Sequence, residues 1–429
     1  MQLARTGCAG GWSRWYPAII AAATSAAYVT SFGGAFVFDG VQWIVENPAI
    51  RSLWPPDQVA GGTLRPVLFY TLALNYAASG LETWSYHLTN LAIHVAAALT
   101  LYGLLRRVLA MGSDASTSTA GTAAALDRAA TADGPAFAAA LLWALHPLQT
   151  QAVTYVIQRG ESLAGLLLLL TLSAVHRGAS ARAPRAGRGA GRGVGTGATG
   201  GEDAETAGRT GVQSCAPGRA RGWYAGAAAA FYLGLGTKEV MAAALPVLLV
   251  FDRLFLAGSF RLALRRRWGL YAAVAAPLAA AVLGSLALDP ALLSGFLQGD
   301  AEDVTRWQYA ASQPGVLLQY LRLAIWPFPQ YLDWGWAAAA SWPEVLVPAA
   351  AVLPMAVATA WGVWWGRRLA FAGAWFFLIL APTSSFVPLK DLLVEHRMYL
   401  PLAAIAALAV LAARQARARR RRAAPPRPA

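Results

Sequence analysis

Long apolar runs, broken by short charged or aromatic segments, recur along the whole chain. Runs near 15–36, 87–108, 136–145, 163–175, 223–235, 240–255, 268–288, 345–365, 369–380 and 400–413 read as helices apolar around most of their circumference. A hydrocarbon core of ~30 Å takes about 20 residues at ~1.5 Å each. The pattern therefore predicts an all-α polytopic membrane protein of about 10–11 transmembrane helices, counting an uncertain break or two. A short amphipathic helix is expected in the outer loop, over 65–78, and another helix at the outer interface, over 314–329, because aromatic residues favour headgroup depth.

Composition supports the same class. The chain has 429 residues, 57% hydrophobic and 13% charged, where soluble domains carry about 25% charged residues. Mean hydropathy is +0.44. The net charge of +14 comes from clustered arginines, at 106–107, 261–267, 367–368 and in the final tail. In a membrane chain such clusters mark the cytoplasmic side, so both termini are expected in the cytoplasm and nucleic acid is not expected as a partner. Cys8 and Cys215 lie in a tail and a linker, with neither disulfide nor zinc spacing. The first apolar run lacks a small-residue cleavage site and reads as a retained span. The expected organisation is an N-terminal membrane part (1–110) with an outer loop at 37–86, a linker (111–134), membrane helices (135–176), a disordered basic linker (177–222), a C-terminal membrane part (223–413) and a basic tail (414–429). The Gly/Arg/Ala-rich linker cannot bury a core and reads as a tether to anionic lipid headgroups.

On that map the polar residues beside spans gather on one face: Asp39, Glu46, Arg65, His146, Arg159, Glu161, Lys238, Glu239, Lys390, Asp391, Glu395, His396 and Arg397. Ionisable groups next to hydrocarbon cost free energy unless paired or wet, so they mark sites by default. Each also has a plainer reading. Asp39 alone reads as an interfacial acid at a helix end, and Glu46 as an ordinary loop acid. Arg65 either clamps an anion bidentately or anchors its loop on Glu46 or a carbonyl. His87, Asn90 and His94, spaced three and four apart, share one helical stripe. That stripe faces a site or makes helix–helix hydrogen bonds; with no third ligand it is not a metal centre. Arg159 with Glu161 reads as a structural pair or an anion site. Lys238 reads as an anion binder or a snorkelling lysine. Glu395, His396, Arg397 and Tyr399 pack so much polarity before a span that a functional role is favoured.

Read in order, FVFDGVQWIVENP, LRPV, SYHLTNLAIH, HPLQTQAVTYVIQRGESLAGL, TKEVMAAALPVLLVFD and EHRMYLPL resemble the transmembrane-and-tetratricopeptide-repeat O-mannosyltransferases and their bacterial relatives. These are membrane glycosyltransferases of the GT-C class, and the resemblance runs from 36 to 402, leaving out the linkers. It departs in two places: Gly40 stands where many relatives carry a second acid, and the tetratricopeptide repeats are absent.

The resemblance implies a GT-C-like fold and transfer of a hexose, mannose by analogy, from a polyprenyl-phosphate sugar to a hydroxyl on a protein or glycan. The site would face the periplasmic or exoplasmic side of a bacterial inner membrane. Asp39 would be the base, with Arg65, Arg159, Lys238, His396 and Arg397 holding the phosphate; Glu46, His87, Asn90, His94, His146, Glu161, Glu239, Glu395 and Tyr399 would support them. Partners would be membrane lipid, the lipid-linked sugar and the acceptor, with no resident cofactor and no required metal, although a divalent ion is not excluded. A transporter or flippase for a lipid-linked anion, and an inactive scaffold, remain the rival readings.

Overall fold

The computed structural model describes residues 12–60, 63–111, 122–182, 217–288 and 304–423. Among them there is no β-strand, and the chain is an all-α polytopic membrane protein. The main helices are α1 (Tyr16–Tyr28), α2 (Pro66–Ser79), α3 (Trp84–Ala110), α4 (Thr122–Ala144), α5 (Arg159–Arg182), α6 (Pro217–Leu235), α7 (Ala244–Phe251), α8 (Phe260–Arg266), α9 (Trp268–Leu288), α10 (Arg306–Ile325), α11 (Trp342–Trp364), α12 (Ala370–Leu380) and α13 (Pro401–Ala423).

Local chemistry sets several boundaries. Pro66 opens α2, where a missing N–H costs nothing, and Gly80, with φ of 60°, closes it. Thr305 and Gln308 form a reciprocal capping box that starts α10.

Five described helical segments are long and apolar enough to cross a bilayer: Trp84–Ala110, Val156–Arg182, Glu239–Ala257, Trp342–Trp364 and Pro401–Ala423. The bent pair Phe260–Arg266 and Trp268–Gly284 makes a sixth if it counts as one span. This is fewer than the ten or eleven expected from apolar runs. Several runs are interrupted, and α12, at 11 residues, covers only about 16 Å. Two expected boundaries also move. Helix α4 begins at Thr122, inside the stretch read as linker, and α5 and α6 extend into the basic linker, to Arg182 and from Pro217. The rest of that linker lies outside the described residues.

The core runs through α3, α4, α5, α6, α12 and α13, centred on Trp143, Phe231, Leu169 and Tyr399. Gly165 lets α5 approach the chain before α13: a Cβ there would sit 2.7 Å from the Tyr399 ring. Helix α11 is the opposite case. Only 11% of its apolar window is buried, and Trp361, Trp364, Leu353 and Val357 face outward. Such a surface suits lipid as solvent and not water.

The bundle has two chemically distinct ends. Asp39, the segment 145–158, Lys238 and the segment 381–399 share one end. Arg106, Arg182, Arg266 and Arg368 lie at the other, where Arg106 pairs with Asp133 and Arg267 with Asp252.

Candidate active site

The first loop leaves α1 and turns sharply at Phe38, whose φ of 45° is rare for a bulky residue. Asp39 follows, exposed. Its backbone N–H donates to the Tyr155 hydroxyl oxygen at 2.9 Å. Tyr155 belongs to the segment linking α4 to α5 and packs into a small core with Ile44, Phe69 and Tyr86. Burial pushes its phenol up to about 12, and the negative charges of Asp39 and Asp391 act in the same direction. The phenol is therefore neutral and stays a hydrogen-bonding group.

Asp391 arrives on the segment before α13. Desolvation raises its carboxyl above the ordinary range, and Asp333 and Asp39 reinforce the shift. Acids from three separated segments thus lie within electrostatic reach of one another. Among the described residues no group of histidines, cysteines and acids could hold a metal ion.

Of the predicted cations, Arg397 is buried and donates to the carbonyls of Leu392 (3.0 Å) and Asp391 (2.8 Å). No carboxylate lies within ion-pair distance of it among the described residues, so carbonyls meet its charge at close range while Glu161 and Asp391 act from farther off. Lys238 is buried and pairs with Glu161 at 2.9 Å, with Gln158 at 3.1 Å. Arg65 binds Glu239 through Nε and Nη2, at 2.8 and 3.0 Å, and does not pair with exposed Glu46. His396 lies within electrostatic reach of Lys238, Arg397 and Arg65. Burial holds its imidazole well below the usual value and the cations push it further, so the ring is neutral at pH 7. Its Nδ1 and backbone N–H both meet Gln151 Oε1, at 3.1 and 3.2 Å. No ion pair joins Asp39 directly to any of these cations among the described residues.

The remaining candidates hold the frame. Arg159 is fully buried: Nε donates to Asn90 Oδ1 at 2.6 Å, Nη1 to the Thr71 carbonyl at 3.2 Å and Nη2 to the Tyr86 carbonyl at 3.0 Å. Each guanidinium nitrogen is thus used by the protein. The stripe on α3 makes helix-to-segment bonds. Asn90 also donates to the Val153 carbonyl at 3.1 Å. His94 lies between the Ala144 carbonyl (3.0 Å) and the Tyr399 hydroxyl (2.9 Å). Its Nε2 carries the proton, because a carbonyl only accepts, and Nδ1 accepts from Tyr399. His87 meets the Gly34 carbonyl at 3.3 Å, and His146 meets that of Ala324 at 3.2 Å. Glu395 accepts from the Tyr331 N–H (2.9 Å), Trp334 (3.0 Å) and Gln330 (3.1 Å), locking the 326–341 segment onto the turn before α13; burial pushes its carboxyl up.

Sequence reasoning missed Tyr155 and Gln151. Both lie in the quoted HPLQTQAVTYVIQRGES segment, yet as uncharged residues they carried no charge signal.

The chain is similar to curated protein O-mannosyl-transferases. It is 31% identical over 156 residues to Protein O-mannosyl-transferase Tmtc3 of Drosophila melanogaster, covering 33% of this chain and 17% of the relative. It is 28% identical over 159 residues to Protein O-mannosyl-transferase F38B6.6 of Caenorhabditis elegans, covering 34% and 20%. It is 28% identical over 175 residues to human Protein O-mannosyl-transferase TMTC1, covering 37% and 18%. The chain thus spans a fifth or less of the length of these relatives. No family model and no solved structure matches.

Proposed function

We propose that this chain is a membrane glycosyltransferase of GT-C type. It transfers a hexose from a polyprenyl-phosphate carrier to a protein or glycan hydroxyl on the periplasmic or exoplasmic face. The similarity to named protein O-mannosyl-transferases supports the sugar-transfer class, and mannose as the sugar. The observation that carries the site is Arg397, a buried guanidinium with no carboxylate within ion-pair distance among the described residues, at the end of the bundle that bears Asp39. A buried unpaired charge is costly. Asp391 and Glu161 act on Arg397 only from beyond ion-pair distance, and an arriving phosphate would supply a direct counter-charge.

Asp39 takes the proton of the acceptor hydroxyl as that oxygen attacks the anomeric carbon. The bond from that carbon to the carrier phosphate breaks, and the negative charge growing on the phosphate meets Arg397 and Lys238. A single displacement with one base inverts the anomeric centre. Phosphate binding draws a proton onto His396, which lies neutral among cations until an anion arrives. Arg65 is partly exposed and bound to Glu239, so it contributes by exchanging partners. Arg159 holds the frame.

The test is transfer from labelled polyprenyl-phosphate mannose by purified protein in vesicles. Asp39→Asn is expected to abolish transfer with insertion and folding intact. Normal turnover by that variant removes the mechanism.

A further inference from the structure

The Arg-rich end holds a feature that sugar transfer does not use. Between the last turns of α3, the start of α12 and the first half of α13 lies an apolar slot of about 390 Å³. Leu104, Val108, Phe371 and Leu408 are among its walls, and Arg368 is its basic member. Arg368 donates to the Met111 carbonyl at 3.4 Å. Met111 lines a second cavity, of about 540 Å³, together with Arg182, Arg266 and Arg267. Phe255 lines both spaces, so the slot and the basic cup adjoin.

The two halves ask for different chemistry. Apart from Arg368 at its lining, the slot offers dispersion and burial to whatever fills it. In the cup, Arg267 is neutralised by Asp252. Arg182 stacks over Tyr224 and donates to the Arg266 carbonyl at 3.1 Å. The Arg266 side chain is exposed and pairs with no carboxylate among the described residues. A free phosphate would satisfy the cup and leave the slot empty. A neutral lipid would do the reverse.

We propose that this end binds one anionic phospholipid, with an acyl chain in the slot and its head phosphate among Arg182, Arg266 and Arg368. Position separates this ligand from the sugar donor. Tyr86, beside the Asp39 loop, and Leu109, in the slot, are 23 residues apart on α3, or roughly 35 Å at ~1.5 Å per residue. A phosphate in the cup lies across the bundle from Asp39. The inference therefore stands independently of the transferase reading.

Native mass spectrometry of the detergent-purified chain tests it, with phosphatidylglycerol, phosphatidylethanolamine, inorganic phosphate and undecaprenyl phosphate as separate probes. The expected result is one phosphatidylglycerol held on the order of tenfold more tightly than phosphatidylethanolamine, since each Arg is worth ~1 kcal/mol against a net anionic headgroup and the ammonium of phosphatidylethanolamine cancels its phosphate charge. Ala407→Trp, which fills the slot, and the paired change Arg182→Ala with Arg266→Ala are each expected to remove that preference, while thermal unfolding stays near that of the parent. Equal retention of the two phospholipids, retention unchanged in both variants, or displacement of phosphatidylglycerol by undecaprenyl phosphate at lower concentration would overturn it.

Discussion

The guanidinium of Arg159 satisfies Asn90, Thr71 and Tyr86 from full burial, whereas that of Arg65 grips Glu239 in partial contact with solvent. Removing Arg159 takes the donor from buried neutral acceptors, at a cost of about 1–3 kcal/mol for each left unsatisfied, while an exposed pair is worth about 0–1 kcal/mol. Arg159→Met is therefore expected to lower the unfolding temperature sharply or prevent accumulation, and Arg65→Ala to change stability little; fluorescence-detected thermal unfolding in detergent reads both. Tyr155 acts through Asp39. Losing its hydroxyl frees the backbone N–H of an exposed residue, which costs little stability because water can replace the bond. The carboxylate is then less well aimed, and small misplacements cost up to about 100-fold in rate. Tyr155→Phe is expected to lower kcat about tenfold, with donor KM and thermal stability near parent values; an unchanged kcat would remove the positioning role. At Gly40 a Cβ would make only ordinary contacts, 3.7 Å to Phe36 Cβ and 3.9 Å to the Tyr155 ring. Space does not explain the missing second acid.

At the scale of elements, the turn before α13 is the hub. Glu395 holds the 326–341 segment, His396 meets Gln151, Arg397 gathers carbonyls from its own segment, and Tyr399 bonds to His94. Its density of charge was legible in the sequence, as were the site loop, the helix after Arg65 and the stripe on α3. The partners were not. Nothing in the spacing of His94 indicates whether it faces a substrate or Tyr399, residues away by 305 positions. Arg159 and Arg397 look alike as isolated arginines, and only the tertiary fold shows one spent on neutral frame groups and the other bonded to carbonyls with its acids beyond ion-pair distance. Tyr155 and Asp391 meet Asp39 through tertiary structure alone. The hub also sets a pH response. The folded pKa of His396 lies well below its unfolded value of about 6.5, so between the two the unfolded chain binds more protons. Stability is then full above about 6.5 and falls as pH drops through that window toward the folded value. The fall is expected to be shallower in His396→Gln, measured by chemical unfolding across pH 4–7, buffer ranges about that wide being sufficient.

At the scale of the whole molecule, apolar runs gave the class correctly, while five described helices combine the length and hydropathy of a full crossing. A run such as that of α12 reads as a crossing because hydropathy sees composition, whereas crossing needs length: 11 residues reach only about half the hydrocarbon thickness. The asymmetry of the ends survives this recount. Ionisable residues of both signs collect around Asp39, and arginines dominate the other end, where α3 finishes at Arg106 and Arg107 and α12 begins after Arg368. Positive residues favour the cytoplasm, so the Arg-rich end should lie inside and Asp39 and His396 outside together. A transporter would need its anion-binding groups reachable from both faces, while a transferase needs only one. Single cysteines placed at Glu46, near Asp39, and at Lys390, near His396, are expected to react with an impermeant maleimide from outside, and one at Arg265 only after the membrane is opened. Labelling of Glu46 and Lys390 positions from opposite compartments would separate the base from its cations, leaving alternating access as the better account of the same charges.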